Sequence, residues 1–556
     1  MRVLTAKHLS LAVLMAATLG SISCTNLDEN PYTAITDVNF NPTAADLPLL
    51  MAPAYAPLRN SWMSWYGMVD WQEETADAFL TPERPNGWDD GQIYYQNHQH
   101  AWTPVGPGMA TGQWGNFYNG ILHANRVIYQ LENDIIPVDA ATKTGTIAEL
   151  RGLRAYYYSL LLDLFGNVPI VTDYTDQTVP EQKTRAEVFD FVTKEFEAVI
   201  PGLSTATGYP AMHGRMNQFA AKGLLARIYL NAQVYTGTAQ WEKVLTLTNE
   251  LISSGKFQLD ATYRGAFARN NHLSPELIFA VPYDAVNATQ SNFHMKTLKP
   301  DLRFALGLTT GPWGGSAGNP QFVDTYDPDD GRLADTWLMG EVYEATNSGR
   351  CPSSQIPGRC GYTFQKHVSG MRHDKPSRIV QFYEGFPVRK YEIYNGQTGA
   401  SDVDYPALRY ADVLLMRAEA FLRTGRAGEA ATLVTQVRQR NFKGTAAAKA
   451  TVTGAELMQG SRYNYGWYDV DGVVKTGPGG TPTTNGGADI QYGRFLDELG
   501  WELAIEGQRR QQLIRFGVYT KKTWFNHTPN GDFRILFPIP QNRLDTNNKM
   551  KQNPGY

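Results

Sequence analysis

Apolar residues recur every three to four positions in several long stretches of the chain, and helix start and stop signals bound those stretches. From Glu149 to Phe165, the residues Leu150, Leu153, Tyr157, Leu160, Leu161 and Leu164 share one face, and Gly166 ends the run. A second helix is predicted over Thr184 to Ile200. Thr184 is its N-cap, Glu187 the reciprocal capping-box partner, and Pro201-Gly202 its end. Asn217 to Val234 and Gln240 to Ser254 read as one pair of helices. Tyr410 to Thr424 and Gly428 to Arg440 read as another, and Arg494 to Phe516 reads as the last helix. Residues 50 to 120 are aromatic-rich, with helical pieces between Pro/Gly loops.

Two of the pairs resemble each other. Ala418-Glu419-Ala420-Phe421-Leu422-Arg423 is followed by Glu429-Ala430-Ala431, and Leu225-Ala226-Arg227-Ile228-Tyr229-Leu230 is followed by Trp241-Glu242-Lys243-Val244. Small residues at a helix crossing with large ones beside them are the packing logic of tetratricopeptide hairpins. Residues 260 to 405 break the pattern. They are rich in Gly, Pro, Asn and Tyr and have few helical periods. The expectation is an all-α scaffold of helical hairpins carrying one long loop-rich excursion, and such loops are where binding sites are usually built.

The N-terminus is a targeting segment and is set apart from the fold. Arg2, Lys7 and His8 precede an apolar run from Leu9 to Leu19, which is too short to span a bilayer comfortably. Small residues then lead to Cys24. Residues 1–23 read as a lipoprotein signal, with Cys24 acylated. Ser21 stands where such signals commonly carry Leu, so an ordinary export signal with an incidental cysteine is the alternative. Residues 24–45 read as a polar tether and 46–556 as one domain. The two remaining cysteines, Cys351 and Cys360, flank a Pro- and Gly-containing loop. An oxidising compartment would join them.

Composition narrows the function. Lys plus Arg is 50 against 54 for Asp plus Glu, net charge -4, with no basic stripe, so nucleic acid is not an expected partner. Aromatic residues reach 12%, including 12 Trp and 30 Tyr, which suits a packed core or a surface that stacks on ligands.

Several segments, in order, resemble the RagB/SusD family of outer-membrane lipoproteins. Cys24 with Leu27-Asp28-Glu29-Asn30-Pro31 is similar to its lipidated tether. Arg151-Gly152-Leu153-Arg154-Ala155-Tyr156-Tyr157, leading to Phe165-Gly166-Asn167-Val168-Pro169, resembles its first core helix and exit loop. Gly214-Arg215 and then Ala220 to Leu230 resemble the next helix. Arg409 to Ala420 (RYADVLLMRAEA) is the strongest single match. Glu502 to Arg510 before Leu513 to Gly517, and Phe537 to Gln541 with Gln552 to Tyr556, complete the series. The resemblance implies four tetratricopeptide-like units and a variable ligand-facing half. It also implies a surface-exposed, lipid-anchored protein that captures oligosaccharide or polysaccharide for a SusC-like TonB-dependent transporter, without cofactor or catalysis. The same scaffold binding peptides, or a glycoside hydrolase, are the rival readings.

Glycan binding needs flat rings for the apolar faces of sugars and polar side chains for their hydroxyls. The densest supply lies between Trp62 and Trp114. Trp88, in the polar turn Asn86-Gly87-Trp88-Asp89-Asp90-Gly91, is the first candidate platform, joined by Trp102, Asp70, Asp89 and Tyr94. Trp65 and Trp71 are expected in the core. From the excursion come Trp313, in Gly311-Pro312-Trp313-Gly314-Gly315, with Arg378 and Tyr405. Three motif matches point elsewhere. Gly314-Gly315-Ser316-Ala317-Gly318 fits a nucleophile elbow in spelling only, since Pro312 and Asn319-Pro320 flank it. His98 and His100 lack a third spaced ligand, and Asp327-Pro328-Asp329-Asp330-Gly331 is out of register for a calcium loop. All three are read as structural, and no metal is expected.

Overall fold

The computed structural model describes residues 40–106, 109–344, 360–372, 379–466 and 486–556. Cys24, Cys351 and Arg378 lie outside them. The fold is all-α. Leu47–Ser61 packs on Met109–Glu132, which packs on Ala140–Leu164, which packs in turn on Arg185–Val199. Gln218–Leu230 then packs on Trp241–Ser253, and Trp241–Ser253 on Tyr410–Arg423. Tyr410–Arg423 closes the series against Ala427–Arg438.

Local chemistry sets the helix starts. Thr184 and Glu187 form the reciprocal capping box, and the Asn217 side chain accepts from the Ala220 N–H. Such a cap contributes about 1 kcal/mol. Asp139 caps Ala140–Leu164 well before Glu149, because its carboxylate accepts from the Ala141 and Thr142 N–H groups. The expected helix from Arg494 to Phe516 is instead two, Gly493–Leu503 and Arg509–Arg515. Ile505 (φ 61) and Gly507 (φ 67) are left-handed between them, and the Gly507 and Gln508 N–H groups turn to the Glu73 carboxylate. The helix predicted from Asn217 to Val234 ends at Leu230, and a short helix Ala232–Thr236 follows.

Two short antiparallel strand pairs fix the excursion to the scaffold. Leu277–Val281 pairs with Tyr405–Arg409 and closes the base of the excursion. Phe79–Leu80 pairs with Ala317–Gly318 and draws the N-terminal aromatic segment against it. Cys360 is disulfide-bonded, at the start of the strand Gly361–Phe364.

Beneath this junction lies a buried network of charges. Arg409 pairs with Glu276, Glu502 and Glu506, all fully buried. Arg440 reaches Glu276 and Glu502, Arg332 reaches Asp330, Glu498 and Glu502, and Lys390 reaches Glu506. Burial alone would raise the Glu498 and Glu502 carboxyls. The arginines outweigh it: Arg332, Arg438 and Arg494 bring Glu498 to about 2, and Arg440, Arg409 and Arg332 do the same for Glu502.

Candidate functional site

Where the N-terminal aromatic segment meets the excursion, five rings form a continuous row. Trp313 and Trp65 have centroids 5.1 Å apart, Trp65 and Tyr66 5.0 Å, Tyr66 and Tyr94 5.9 Å, and Tyr94 and Trp88 5.9 Å. Successive planes are tilted by 35° to 48°. Trp65 is 39% exposed. Trp313, Tyr66 and Trp88 are half-buried, and Tyr94 is buried between them. Trp313, Trp65, Tyr66 and Trp88 thus present partly exposed ring surface, the kind of surface that can stack on a ligand, while Tyr94 packs behind them.

Each ring is held by its backbone. The Trp65 N–H donates to Asn292 Oδ1 at 2.8 Å, and the Asn292 and Phe293 N–H groups donate to the Met63 carbonyl at 3.1 Å. Residues 62–66 are thus stitched to the helix Phe293–Thr297 of the excursion. The Trp313 N–H donates to the Met295 carbonyl at 2.7 Å. Trp88 lies against Gly315, where a Cβ would overlap its ring, so glycine is the floor that this indole requires. The loop Gly314-Gly315-Ser316 is gripped from beneath by two buried cations. Lys299 Nζ donates to the Ser316 carbonyl at 3.0 Å, and Arg84 Nε to the Gly315 carbonyl at 2.9 Å. Burial, with Arg84 nearby, holds the Lys299 ammonium well below its usual range, and burial brings Arg84 down to about 9.

Under the rings sits a polar layer. Lys296 bonds Asp70, and also Glu74 at 2.7 Å. Its Nζ lies 3.8 Å from the Tyr94 ring centroid, which is cation–π distance. Asp70 accepts from the Tyr66 N–H at 3.1 Å and from the Tyr94 hydroxyl at 3.4 Å. Burial raises the Asp70 carboxyl against the pull of Lys296. It pushes Glu74 to about 6, since one lysine faces both acids and Asp70 repels Glu74. On the solvent side, Asp90 Oδ2 accepts from Trp65 Nε1 at 3.1 Å and from the Tyr66 hydroxyl at 2.6 Å. Asp89 is half-buried and accepts from the Gly91 N–H at 3.1 Å.

Several expected site residues are placed elsewhere. Trp102 is buried, with Nε1 donating to the Tyr556 hydroxyl and its ring against Phe537. Tyr405 is buried too. It stacks on Trp62 at 4.6 Å, and its hydroxyl donates to the Glu506 carbonyl at 2.8 Å. Neither offers a face to a ligand, because each polar tip has an internal partner and each ring an internal neighbour. Asp70 is fully buried and acts behind the rings. Trp65, expected in the core, is instead exposed at the centre of the row, whereas Trp71 is buried. Tyr66 and Asp90 belong to the aromatic and acidic cluster that the sequence places between Trp62 and Trp114, and Gly315 to the Trp313 loop, whereas Lys296 carries no local signal. Trp65 could have been singled out, since Ser64-Trp65-Tyr66-Gly67 is as short and polar a setting as that of Trp88.

The motif-like segments have structural duties. His98 and His100 bond the Phe525 and Thr75 carbonyls, and burial depresses them to about 4 and about 3. Asp327 and Asp329 both hold Lys449, and Asp330 caps Gly331–Thr336. Among the described residues, no group of three His, Cys, Asp or Glu could hold a metal ion, and no helix is long and apolar enough to cross a membrane.

Known proteins share this architecture. A crystal structure of a SusD superfamily protein from Parabacteroides distasonis is 18% identical and superposes with a TM-score of 0.68, covering 94% of this chain and 100% of its own. Surface glycan-binding protein A from Bacteroides thetaiotaomicron, solved in complex with laminarihexaose, is 18% identical with a TM-score of 0.65, covering 92% and 99%. In sequence, the chain is 25% identical over 449 residues to the starch-binding protein SusD of Bacteroides thetaiotaomicron, spanning 74% of this chain and 72% of that protein. Residues 27–230 match a model described as starch-binding associating with outer membrane. Residues 275–556, half of the chain, match the SusD family model, and the chain therefore belongs to the SusD family.

Proposed function

We propose that this protein captures glycan at the cell surface on the rings Trp313, Trp65, Tyr66 and Trp88, with buried Tyr94 as their backing, does no chemistry on it, and passes it to a SusC-like TonB-dependent transporter. The observation that carries the reading is the ring spacing of 5.0–5.9 Å, which lets neighbouring sugar rings stack in succession. Asp89 and Asn292 stand beside the row to meet hydroxyls. Family membership and the glycan-binding relatives support the same class. Acylation at Cys24 supplies the membrane attachment in this reading, with residues 24–45 as the tether. One acyl chain gives only marginal, reversible binding, so two or more anchor the protein stably.

Titration calorimetry of the purified chain with laminarihexaose and with soluble starch tests the reading. The expected result is saturable binding to a glycan that Trp65→Ala weakens, with the glycan recovered intact. Release of shorter sugars, lost in a variant at the row, would contradict binding without chemistry. For the anchor, Cys24→Ala is expected to leave the exported protein in the soluble fraction. A variant that still pellets with washed membranes lacking the transporter would contradict it.

A further inference from the structure

We infer that Asp90 is the positioning residue of the aromatic row, a latch that fixes Trp65 and Tyr66 in the orientation a glycan meets; the inference rests on the proposed site. One carboxylate oxygen, Oδ2, receives both the Trp65 indole N–H and the Tyr66 hydroxyl. Hydrogen bonds to a charged acceptor are the stronger kind, so the two rings are tied to each other through this one atom. The indole has no other described hydrogen-bond partner that could take over this role, while the Trp65 backbone is fixed independently through Asn292. Loss of Asp90 therefore frees the ring and leaves the chain path intact.

The backbone around the latch is strained. Tyr66 (φ 61), Asp90 (φ 52) and Gln92 (φ 65) are all left-handed, with Gly91 (φ 64) between the last two. A tyrosine in that region is uncommon, and such strain persists only where surrounding bonds over-determine it. Here two carboxylates bracket Tyr66. Buried Asp70 takes its backbone N–H, and Asp90 takes its hydroxyl at the other end. Both ends of one residue are thereby fixed, and Tyr66 is the ring that joins Trp65 to Tyr94. Consistent with a carboxylate partner, burial and the Asp90 hydrogen bond raise the Tyr66 hydroxyl above its usual range. Lys296 and Asp70 secure the row from below, and Asp90 ties the tips of Trp65 and Tyr66 from the solvent side.

The test uses the full chain with Asp90→Ala, Asp90→Asn and Tyr66→Phe. Asparagine tolerates left-handed backbone and keeps one acceptor oxygen, so it is the conservative variant. The first readout is the indole N–H resonance of Trp65, assigned by its loss in Trp65→Phe, with its hydrogen-exchange rate. The second is affinity for laminarihexaose, or for whichever glycan the wild type binds. Asp90→Ala is expected to shift that resonance upfield, speed its exchange and weaken binding roughly tenfold, with a modest melting loss because alanine tolerates φ 52 less well than aspartate. Asp90→Asn should recover part of both, and Tyr66→Phe should weaken binding while leaving the Trp65 resonance near its wild-type position. An unmoved Trp65 resonance in Asp90→Ala overturns the inference. Weakened binding with that resonance unmoved would make Asp90 a direct ligand contact instead. If the wild type binds no glycan, the proposed function fails, and the resonance alone still decides whether Asp90 holds the ring.

Discussion

Two regions of this protein concentrate unusual side chains, and they behave oppositely. The row of rings from Trp313 to Trp88 is open to solvent at Trp65 and lies on loops, apart from Tyr94 in the short helix Ile93–His98. The charge network of Arg409, Arg440, Arg332, Lys390, Glu276, Glu498, Glu502 and Glu506 is sealed inside the helical scaffold. The family-like motifs, Arg409 to Ala420 and Glu502 to Arg510, supply Arg409, Glu502 and Glu506 at the heart of the network and contribute nothing to the row. Charges taken out of water must be paired to survive, so each member constrains several others and the motif marks architecture. Rings at a surface constrain only their neighbours and can vary with the ligand.

The largest expected effect breaks the buried side of this comparison. Arg409→Ala leaves Glu276, Glu502 and Glu506 without a shared cation. It should lower stability by about 3–5 kcal/mol, read by chemical denaturation, or abolish folding. Loss of under 1 kcal/mol would mean the network is solvated.

Next comes acid. His98 and His100 are held at about 4 and about 3 by burial, below the unfolded value of 6.5. Their contribution is full above pH 6.5 and is lost as pH falls toward those values. Glu498 and Glu502, at about 2 against 4.5 unfolded, contribute above 4.5 and lose that as pH falls toward 2. Glu73 (about 7), Glu74 (about 6) and Asp497 (about 6) are raised by burial, so their contribution fades as pH rises from the unfolded carboxyl range to those values. The two trends oppose each other from pH 6.5 down to the unfolded carboxyl values, 4.5 for the glutamates and 3.8 for Asp497, and below these only the losses continue. A melting profile shallow above pH 4.5 and steep below it is expected. A profile equally flat down to pH 3 would contradict the burial of these groups.

A smaller effect separates core rings from site rings. Tyr405→Phe removes the hydroxyl that donates to the Glu506 carbonyl. It should cost about 1 kcal/mol of stability and leave glycan affinity unchanged. A weakened affinity with unchanged melting would return Tyr405 to the site.

The scaffold was largely readable from sequence because helical periodicity and capping are local. Thr184 with Glu187 and Asn217 announce their helices within four residues. The break at Ile505 and Gly507 was not readable, because its cause, Glu73, is more than 400 residues away in the chain. The site was readable only in part, for the same reason. Trp88 and Trp313 carried a local signal in glycine-rich or polar turns. Trp102 and Tyr405 looked alike in sequence, yet Tyr556, Phe537, Trp62 and Glu506 bury them from distant elements. Trp65 is expected in the core because aromatic richness alone suggests one, and it is the bonds of Asn292 and Phe293, more than 200 residues away in the chain, to Met63, and of Trp313 to Met295, that bring it to the face shared with Trp313.

The account turns on whether the open rings bind glycan. Titration calorimetry and thermal melting, run together on Trp65→Ala and Trp88→Ala against the glycan that the wild type binds, ask this directly. The expected loss is about 1–3 kcal/mol of binding at each position, the range for a stacked ring, with a smaller stability loss of about 1 kcal/mol for Trp65→Ala from its indole hydrogen bond to Asp90. Wild-type affinity in both variants, or a melting loss that accounts for all of the change, would contradict the row as the binding site.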